Sequence, residues 1–386
     1  MSLPRLFARA LRGACAAMLM LPFYAHADGE PQSDFASQLR ELRVLASHND
    51  PDAEFELGKL YDAGQGVAMD TATAVSWWQK AAAQDHARSE YQLGMSYMTG
   101  IGITHDYAHA AGWFQRAALQ GYLPAQLGLA DLLAGTDHPG VQQDLQAAAR
   151  WYGQAASQGD RDAQHKLGDS YAMGLGVTQD LHQAVIWWAL AARQKNVAAE
   201  YNLAHSLLLG SGTSANPALA ARWFRRAADA GDTKAQLALG DMYREGQGVE
   251  QDYALAARWY GKAAAKGDDE AQTRLASLFE HGQGRPQDFV LACAWYQVVL
   301  NEANDPENTA MNNLLAGDAS SDAEWQQYKN RLAAARTSYQ QNRDRIAALL
   351  TPAEQNDAIA LAASWQPGTL ISPHYPAARP VVMNTR

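Results

Sequence analysis

Few side chains in this sequence are spaced for chemistry. His105 and His109 stand four residues apart, a spacing that lets two imidazoles on one helix face hold a metal ion. Asp106 between them is a helix-capping type, which puts His105 ahead of the helix and His109 inside it, so the pair reads as two solvated histidines. Gly-x-Gly pairs occur at Gly64/Gly66, Gly100/Gly102, Gly174/Gly176, Gly210/Gly212, Gly246/Gly248 and Gly282/Gly284. A nucleotide loop needs a third glycine after a strand. These pairs lack both and recur six times, so they read as turns between helices. Cys293 holds the place held elsewhere by Val75, Ala111, Ala149, Val185, Ala221 and Ala257, and reads as a buried, inert thiol. Paired aromatics from Trp77-Trp78 to Trp295-Tyr296 are of a type that stacks on sugars, but their strict register assigns them to a core. Neither H-E-x-x-H nor Gly-x-Ser-x-Gly occurs. With no convergent acid, base and nucleophile, the chain reads as non-enzymatic, with no catalytic, cofactor-binding or metal-binding residues.

The elements that must position any functional side chain are repeats. Ala53, Ser89, Ala125, Ala163, Ala199, Ala235 and Ala271 open seven units, spaced by 36 residues except for one step of 38. Counting each opening residue as zero, position 4 is always Leu, from Leu57 to Leu275, and position 5 is always Gly or Ala. Position 8 is Tyr, Phe or Leu. The glycine pair follows. In the third unit it is stretched to Gly135-Thr136-Asp137-His138-Pro139-Gly140, which accounts for the two extra residues. Then come Asp70, Asp106, Asp144, Asp180, Asn216, Asp252 and Asp288, and seven residues later Trp77, Trp113, Trp151, Trp187, Trp223, Trp259 and Trp295.

Each unit predicts two helices. Leu at 4 and the aromatic at 8 share a helix face, because residues four apart stack. The first glycine supplies the left-handed residue that ends that helix. The Asp or Asn caps the second helix, supported by Pro217 at its first position after Asn216. Asp50, Asp160, Asn196, Asp232 and Asp268 are placed to cap first helices. One hairpin cannot bury its own tryptophan but stacked hairpins can, so the register tryptophans are expected inside.

These residues resemble the Sel-one-like repeat (SLR), a relative of the tetratricopeptide repeat. The stretch Ala235 to Gly267 matches nearly the whole family pattern, including Val249, Trp259-Tyr260 and Lys262-Ala263-Ala264. The resemblance implies an all-α, right-handed superhelical solenoid of helix-turn-helix repeats that acts as an adaptor through a concave surface. Some exported bacterial members carry a disulfide in each repeat; those cysteines are missing here.

The organisation then reads as follows. Residues 1–27 form a secretory signal peptide, with Arg5, Arg9 and Arg12, an apolar stretch from Ala14 to Leu21, and cleavage near Ala27-Asp28 after Ala25-His26-Ala27. The apolar stretch is too short to span a bilayer, which needs ~20 residues. Residues 28–52 supply a leader and an N-terminal capping helix, and 53–300 the seven repeats. Residues 301–365 make a C-terminal helical cap with capping boxes at Ser321 and Thr351, and 366–386 a Pro-rich mobile tail. Without the signal the charge balance is 28 basic against 41 acidic side chains, which disfavours nucleic acid. Cys15 leaves with the signal, so Cys293 has no partner for an intramolecular disulfide in the mature chain.

Recognition is left to the surface. By analogy with tetratricopeptide grooves, positions 2, 6 and 9 of the first helices should face a partner. They include Phe55, Lys59, Asp62, Tyr91, Met95, Met98, Asp131, His165, Asp169, Tyr201, His205, Asp241, Arg244 and Glu280. This mixture of aromatics, Met and acids suits a basic or mixed peptide-like segment of a protein in the bacterial cell envelope. The expected function is a periplasmic or secreted adaptor. The second reading is a protein that binds or acts on peptidoglycan or another glycan, or regulates a cell-wall enzyme.

Overall fold

The structure is a computed structural model and describes residues 31–303 and 323–371. The signal peptide, Pro306, Ser321 and residues 372–386 lie outside the described residues. Among the described residues there are helices and no strand. The chain forms two compact units that divide after Tyr122.

Unit one holds α1 (Pro31–Ser47) and two hairpins: α2 (Pro51–Ala63) with α3 (Thr71–Ala82), and α4 (Ala87–Thr99) with α5 (Tyr107–Leu119). Unit two holds five hairpins. They are α6 (Leu123–Ala134) with α7 (Leu145–Ser157), α8 (Arg161–Met173) with α9 (Leu181–Arg193), α10 (Val197–Leu209) with α11 (Pro217–Asp229), α12 (Thr233–Glu245) with α13 (Tyr253–Ala264), and α14 (Asp269–His281) with α15 (Phe289–Ala303). Two further helices follow, α16 (Ala323–Ala347) and α17 (Pro352–Ser364). Within each unit, every first helix packs on its own second helix and, from the unit's second hairpin onward, on the second helix before it. Helices α16 and α17 both pack on α15.

The turn chemistry follows the sequence. Every predicted Asp or Asn accepts backbone N–H groups at the start of its helix, for example Asp144 from Ala147 at 2.8 Å and Asp288 from Leu291 at 2.9 Å. First glycines such as Gly174 (φ 70°) end the first helices in the left-handed conformation. The second glycine has a different cause. A Cβ on Gly212 would come within 2.2 Å of the Leu181 carbonyl oxygen, at the start of the preceding second helix. The turn of one hairpin thus rests directly on the backbone of the hairpin before it.

The core corrects one expectation. Of the register tryptophans, only Trp259 and Trp295 are buried; Trp77, Trp113, Trp151, Trp187 and Trp223 are half-buried. The residue after each tryptophan is the one that is buried in all seven: Trp78, Phe114, Tyr152, Trp188, Phe224, Tyr260 and Tyr296. One step along a helix turns ~100°, so only one of two adjacent aromatics can point at the centre of the hairpin. The second ring lies across the small residue at position 5. A Cβ on Gly94 would sit 2.5 Å from the Phe114 ring, and one on Gly240 2.5 Å from that of Tyr260. The tryptophan instead lies to the side of that centre, and at Trp77, Trp113, Trp223 and Trp259 its outer face is under a cation. Lys80 stands 3.8 Å from the Trp77 ring centre and Arg116 4.8 Å from that of Trp113.

A second buried feature has no counterpart in the sequence reading. Position 1 is polar throughout: Glu54, Glu90, Gln126, Gln164, Glu200, Gln236 and Gln272, all buried. Buried polar groups need partners, and each of these side chains has at least one, although the Gln236 Oε1 is left without a hydrogen bond. Gln84 donates to Glu54 at 2.8 Å, Gln158 to Gln126 at 2.8 Å and Gln194 to Gln164 at 2.9 Å. Arg226 reaches Glu200 at 2.6 Å while its guanidinium covers Trp223. Burial raises the proton affinity of Glu54, Glu90 and Glu200, against the pull of Gln84 on Glu54, of Arg116 on Glu90 and of Arg226 on Glu200.

The C-terminal cap differs from expectation at its end. Residues 366–371, read as the start of a mobile tail, form a turn folded back on α13. The Gly368 N–H donates to the Ala265 carbonyl, and Leu370 lies against Gly261. The Thr351 capping box at α17 forms as predicted. Cys293 is buried, and burial pushes its thiol pKa up.

Candidate interaction face

The residues expected to face a partner stand at positions 2, 6 and 9 of the first helices in each unit. In unit one Phe55 belongs to the core instead. It is buried, with the His86 ring edge-on at 5.3 Å and the Arg88 guanidinium 4.2 Å away. Tyr91 is half-buried between Phe114 and Tyr122, with ring centres at 5.6 and 5.5 Å, and burial raises its hydroxyl pKa. Lys59 and Asp62 are exposed, and Lys59 pairs with Glu56 at 2.8 Å. Met95 and Met98, on α4, are half-buried.

In unit two the acids at position 6 share one arrangement. The polar tip of the core aromatic reaches the acid of its own hairpin: Tyr152 hydroxyl to Asp131 at 2.6 Å, Trp188 Nε1 to Asp169 at 2.9 Å, Tyr260 hydroxyl to Asp241 at 2.7 Å. Position 3 of the next hairpin then closes on the same carboxylate. Lys166 meets Asp131, Asn202 donates to Asp169 at 3.1 Å, and Arg274 stands 3.3 Å from Asp241. Where the core aromatic is Phe114 or Phe224, position 6 is Met95 or His205, and no acid is needed. A tyrosine or tryptophan at the core carries a donor that must be satisfied, and in these three hairpins the acid satisfies it, whereas Trp78 donates to the Phe55 carbonyl and Tyr296 to Glu280.

Asp169 is held most tightly. Burial raises its proton affinity, opposed by His165 at 3.4 Å, Trp188, Asn202 and Lys166. The hydroxyl pKa values of Tyr152 and Tyr260 are pushed up by burial and by the adjacent carboxylates. Asp131, Asp169 and Asp241 therefore act between helices before they act on any partner. Arg244 is likewise engaged, with Asp241 at 3.1 Å and with Glu245.

Glu280 is buried by the cap. Arg345 on α16 donates to its two oxygens at 2.6 and 2.9 Å, and the Tyr296 hydroxyl approaches at 3.3 Å. Burial pushes the Glu280 carboxyl pKa up, but Arg345, His281 and the Tyr296 hydroxyl together outweigh it and the net shift is down. The remaining predicted residues of unit two are His165 and Tyr201, half-buried, and His205, exposed. Tyr201 stacks over His205 with ring centres 6.1 Å apart. His109 lies inside α5, bonded to Asp106 at 2.7 Å, and His105 lies ahead of the helix. No group of three His, Cys, Asp or Glu side chains able to hold a metal occurs among the described residues.

The structure thus separates the predicted residues into side chains tied between helices and a smaller set, Lys59, Asp62 and His205, that is exposed with no polar tie to another helix among the described residues. Sequence reasoning missed the pairing of position 6 with the core aromatic. Its signal was present: Asp recurs with Tyr152, Trp188 and Tyr260, but not with Phe.

The Sel1 repeat family model matches seven consecutive stretches, 51–86, 87–122, 123–160, 161–196, 197–232, 233–268 and 269–297. Among solved structures the chain is similar to a protective antigen present in uropathogenic Escherichia coli strains, which displays an SLR fold. The identity is 31%, with 83% of this chain and 70% of that chain covered, at a TM-score of 0.67. It is also similar to a Sel1 repeat protein from Oxalobacter formigenes, at 33% identity, covering 74% of this chain and 82% of that one, with a TM-score of 0.58. No curated protein sequence matches.

Proposed function

Because the chain belongs to the Sel1 repeat family, whose members are generally protein-interaction scaffolds, we propose that it is a non-enzymatic adaptor of the bacterial cell envelope, binding a protein or peptide partner on its first-helix face. One observation supports the binding face above others. Position 4 is invariably Leu and position 5 invariably small, whereas positions 2, 6 and 9 differ from hairpin to hairpin, as Lys59, Met98, Tyr201 and His205 do. A surface whose packing positions are uniform and whose exposed positions are individual suits a partner read side chain by side chain. Export rests on the basic and apolar character of residues 1–27, and likeness to a protective antigen supports it. No helix of the described residues is long and apolar enough to cross a membrane.

The test places a photo-crosslinking amino acid at Met98, at His205 and, as control, at Arg222 on α11. Cells carrying the full chain with its leader are irradiated and the envelope fraction is analysed. A discrete protein adduct from Met98 or His205 and not from Arg222 is the expected result. Equal labelling at all three overturns the face. Co-sedimentation with purified peptidoglycan, or release of soluble glycan from it, would favour the glycan reading instead.

A further inference from the structure

In unit two the register tryptophans of α9, α11, α13 and α15 lie toward the preceding second helix, and two residues border each such seam. One stands two places after the tryptophan on the preceding helix, the other three places after it on the helix itself. Between α9 and α11 they are Ala189 and Arg226; between α11 and α13 they are Arg225 and Lys262. These seams are closed by their own side chains. Arg226 stands 4.5 Å from the Trp223 ring centre and donates to the Ala192 carbonyl. Lys262 stands 3.8 Å from the Trp259 ring centre.

Two seams have glycine and an apolar residue instead. Between α13 and α15 they are Gly261 and Val298; between α7 and α9 they are Gly153 and Leu190. The first is filled from within the chain. Trp365 stands edge-on to Trp295, with ring centres 6.4 Å apart. Its Nε1 donates to the Thr369 carbonyl across the turn, and Leu370 comes to 3.5 Å from a Cβ placed on Gly261. Trp295 is fully buried there, on a helix that α16 and α17 also cover.

The second seam has a similar floor and, among the described residues, no such segment. Trp187 packs on the cluster that includes Tyr152, Ala155 and Ala156, and both it and Leu190 remain half-buried. Among the described residues, no Lys or Arg covers its ring. Its Nε1 is buried without a hydrogen bond, as is that of Trp295. A Cβ on Gly153 would meet nothing within 4 Å. Ile186 beside Trp187 is 40% exposed.

The geometry points to the seam between α7 and α9 as a docking groove for a peptide segment of another protein that carries an indole and, five residues on, a leucine. That is the chemistry of Trp365 and Leu370, which occupy the sister seam. Aromatic anchors seated in an apolar cleft dominate such contacts. A second copy of this chain is not the occupant, because its own Trp365 and Leu370 are already engaged. The groove lies on the second helices, apart from the first-helix face, so it stands or falls independently of the adaptor face tested at His205.

The probe is a fluorescent peptide of residues 364–371, Ser-Trp-Gln-Pro-Gly-Thr-Leu-Ile, titrated with the full mature chain and read by anisotropy. Saturable binding is expected. Leu190→Lys removes an apolar wall of the groove and places beside Trp187 the cation that Lys262 places over Trp259, and should weaken binding tenfold or more. Gly153→Arg, at an unobstructed helix position, should do the same and keeps the helix well formed. Circular dichroism melts of both variants serve as the folding control. A peptide with Ala for both Trp365 and Leu370 should not bind. No binding to the unmodified chain, or binding unchanged by both substitutions in folded protein, overturns the proposal.

Discussion

Trp188 on α9 and Asp169 on α8 meet through an indole N–H donated to a carboxylate oxygen at 2.9 Å, and Asn202 of the following hairpin donates to the same oxygen at 3.1 Å. One acid thereby ties a hairpin to itself and to its neighbour. The same relation holds at Asp131 and Asp241 with different partners. Replacing Asp241 with Leu strands the Tyr260 hydroxyl, and should destabilise by ~1–3 kcal/mol. The double variant with Tyr260→Phe should recover much of that loss, because the donor has gone too. Denaturant melts of the two single variants and the double variant test this; additive losses would show that the pair is not coupled.

Adjacent aromatics should differ in cost. Tyr152 fills the centre of its hairpin, whereas Trp151 is half-buried. Tyr152→Ala should cost ~3–5 kcal/mol, the range for removing a large buried ring. Trp151→Ala should cost clearly less. Equal losses in urea unfolding would contradict the assignment of the second aromatic to the core.

The buried acids of position 1 give a pH signature. Burial raises the Glu54 pKa above its ordinary value. Its contribution to stability is therefore full below the unfolded pKa and is lost as pH rises through the folded one, so ionisation at neutral pH opposes folding. Glu54→Gln keeps an acceptor for Gln84, as Gln126 does for Gln158. The variant should melt a few degrees higher at pH 7, on the order of 2–4 °C per kcal/mol gained. Its advantage should vanish toward pH 4. A lower melting temperature at pH 7 would reject this reading.

The cap should depend on Arg345, whose bonds hold Glu280. Arg345→Ala leaves a buried carboxylate unpaired, and should cost ~2–4 kcal/mol in the last hairpin. Arg345→Ala with Glu280→Gln should cost less than Arg345→Ala alone. Hydrogen exchange of α14 to α16 would report this locally, with α8 and α9 as the unchanged reference.

Much of this architecture was legible in the sequence because it is governed by local rules. Asp144 and Asp288 as caps, and Gly174 as a left-handed terminus, need nothing beyond their neighbours in the chain. Choosing between Trp151 and Tyr152 needed the angular position of the core, which two adjacent aromatics do not reveal. The face was less legible still. Asp169 looked like a recognition residue because its partners, Trp188 and Asn202, come from other helices. Glu280 looked free because Arg345, 65 positions later in the chain, covers it.

The second glycines carry a wider consequence. In the last four hairpins, all within unit two, Gly176, Gly212, Gly248 and Gly284 each bring their turn onto the main chain of the preceding hairpin. The step from one hairpin to the next is therefore gauged by atoms common to all amino acids. Outward-pointing side chains can drift, duplicate or be redesigned without altering that step, so binding properties can evolve while the scaffold's internal ruler stays constant.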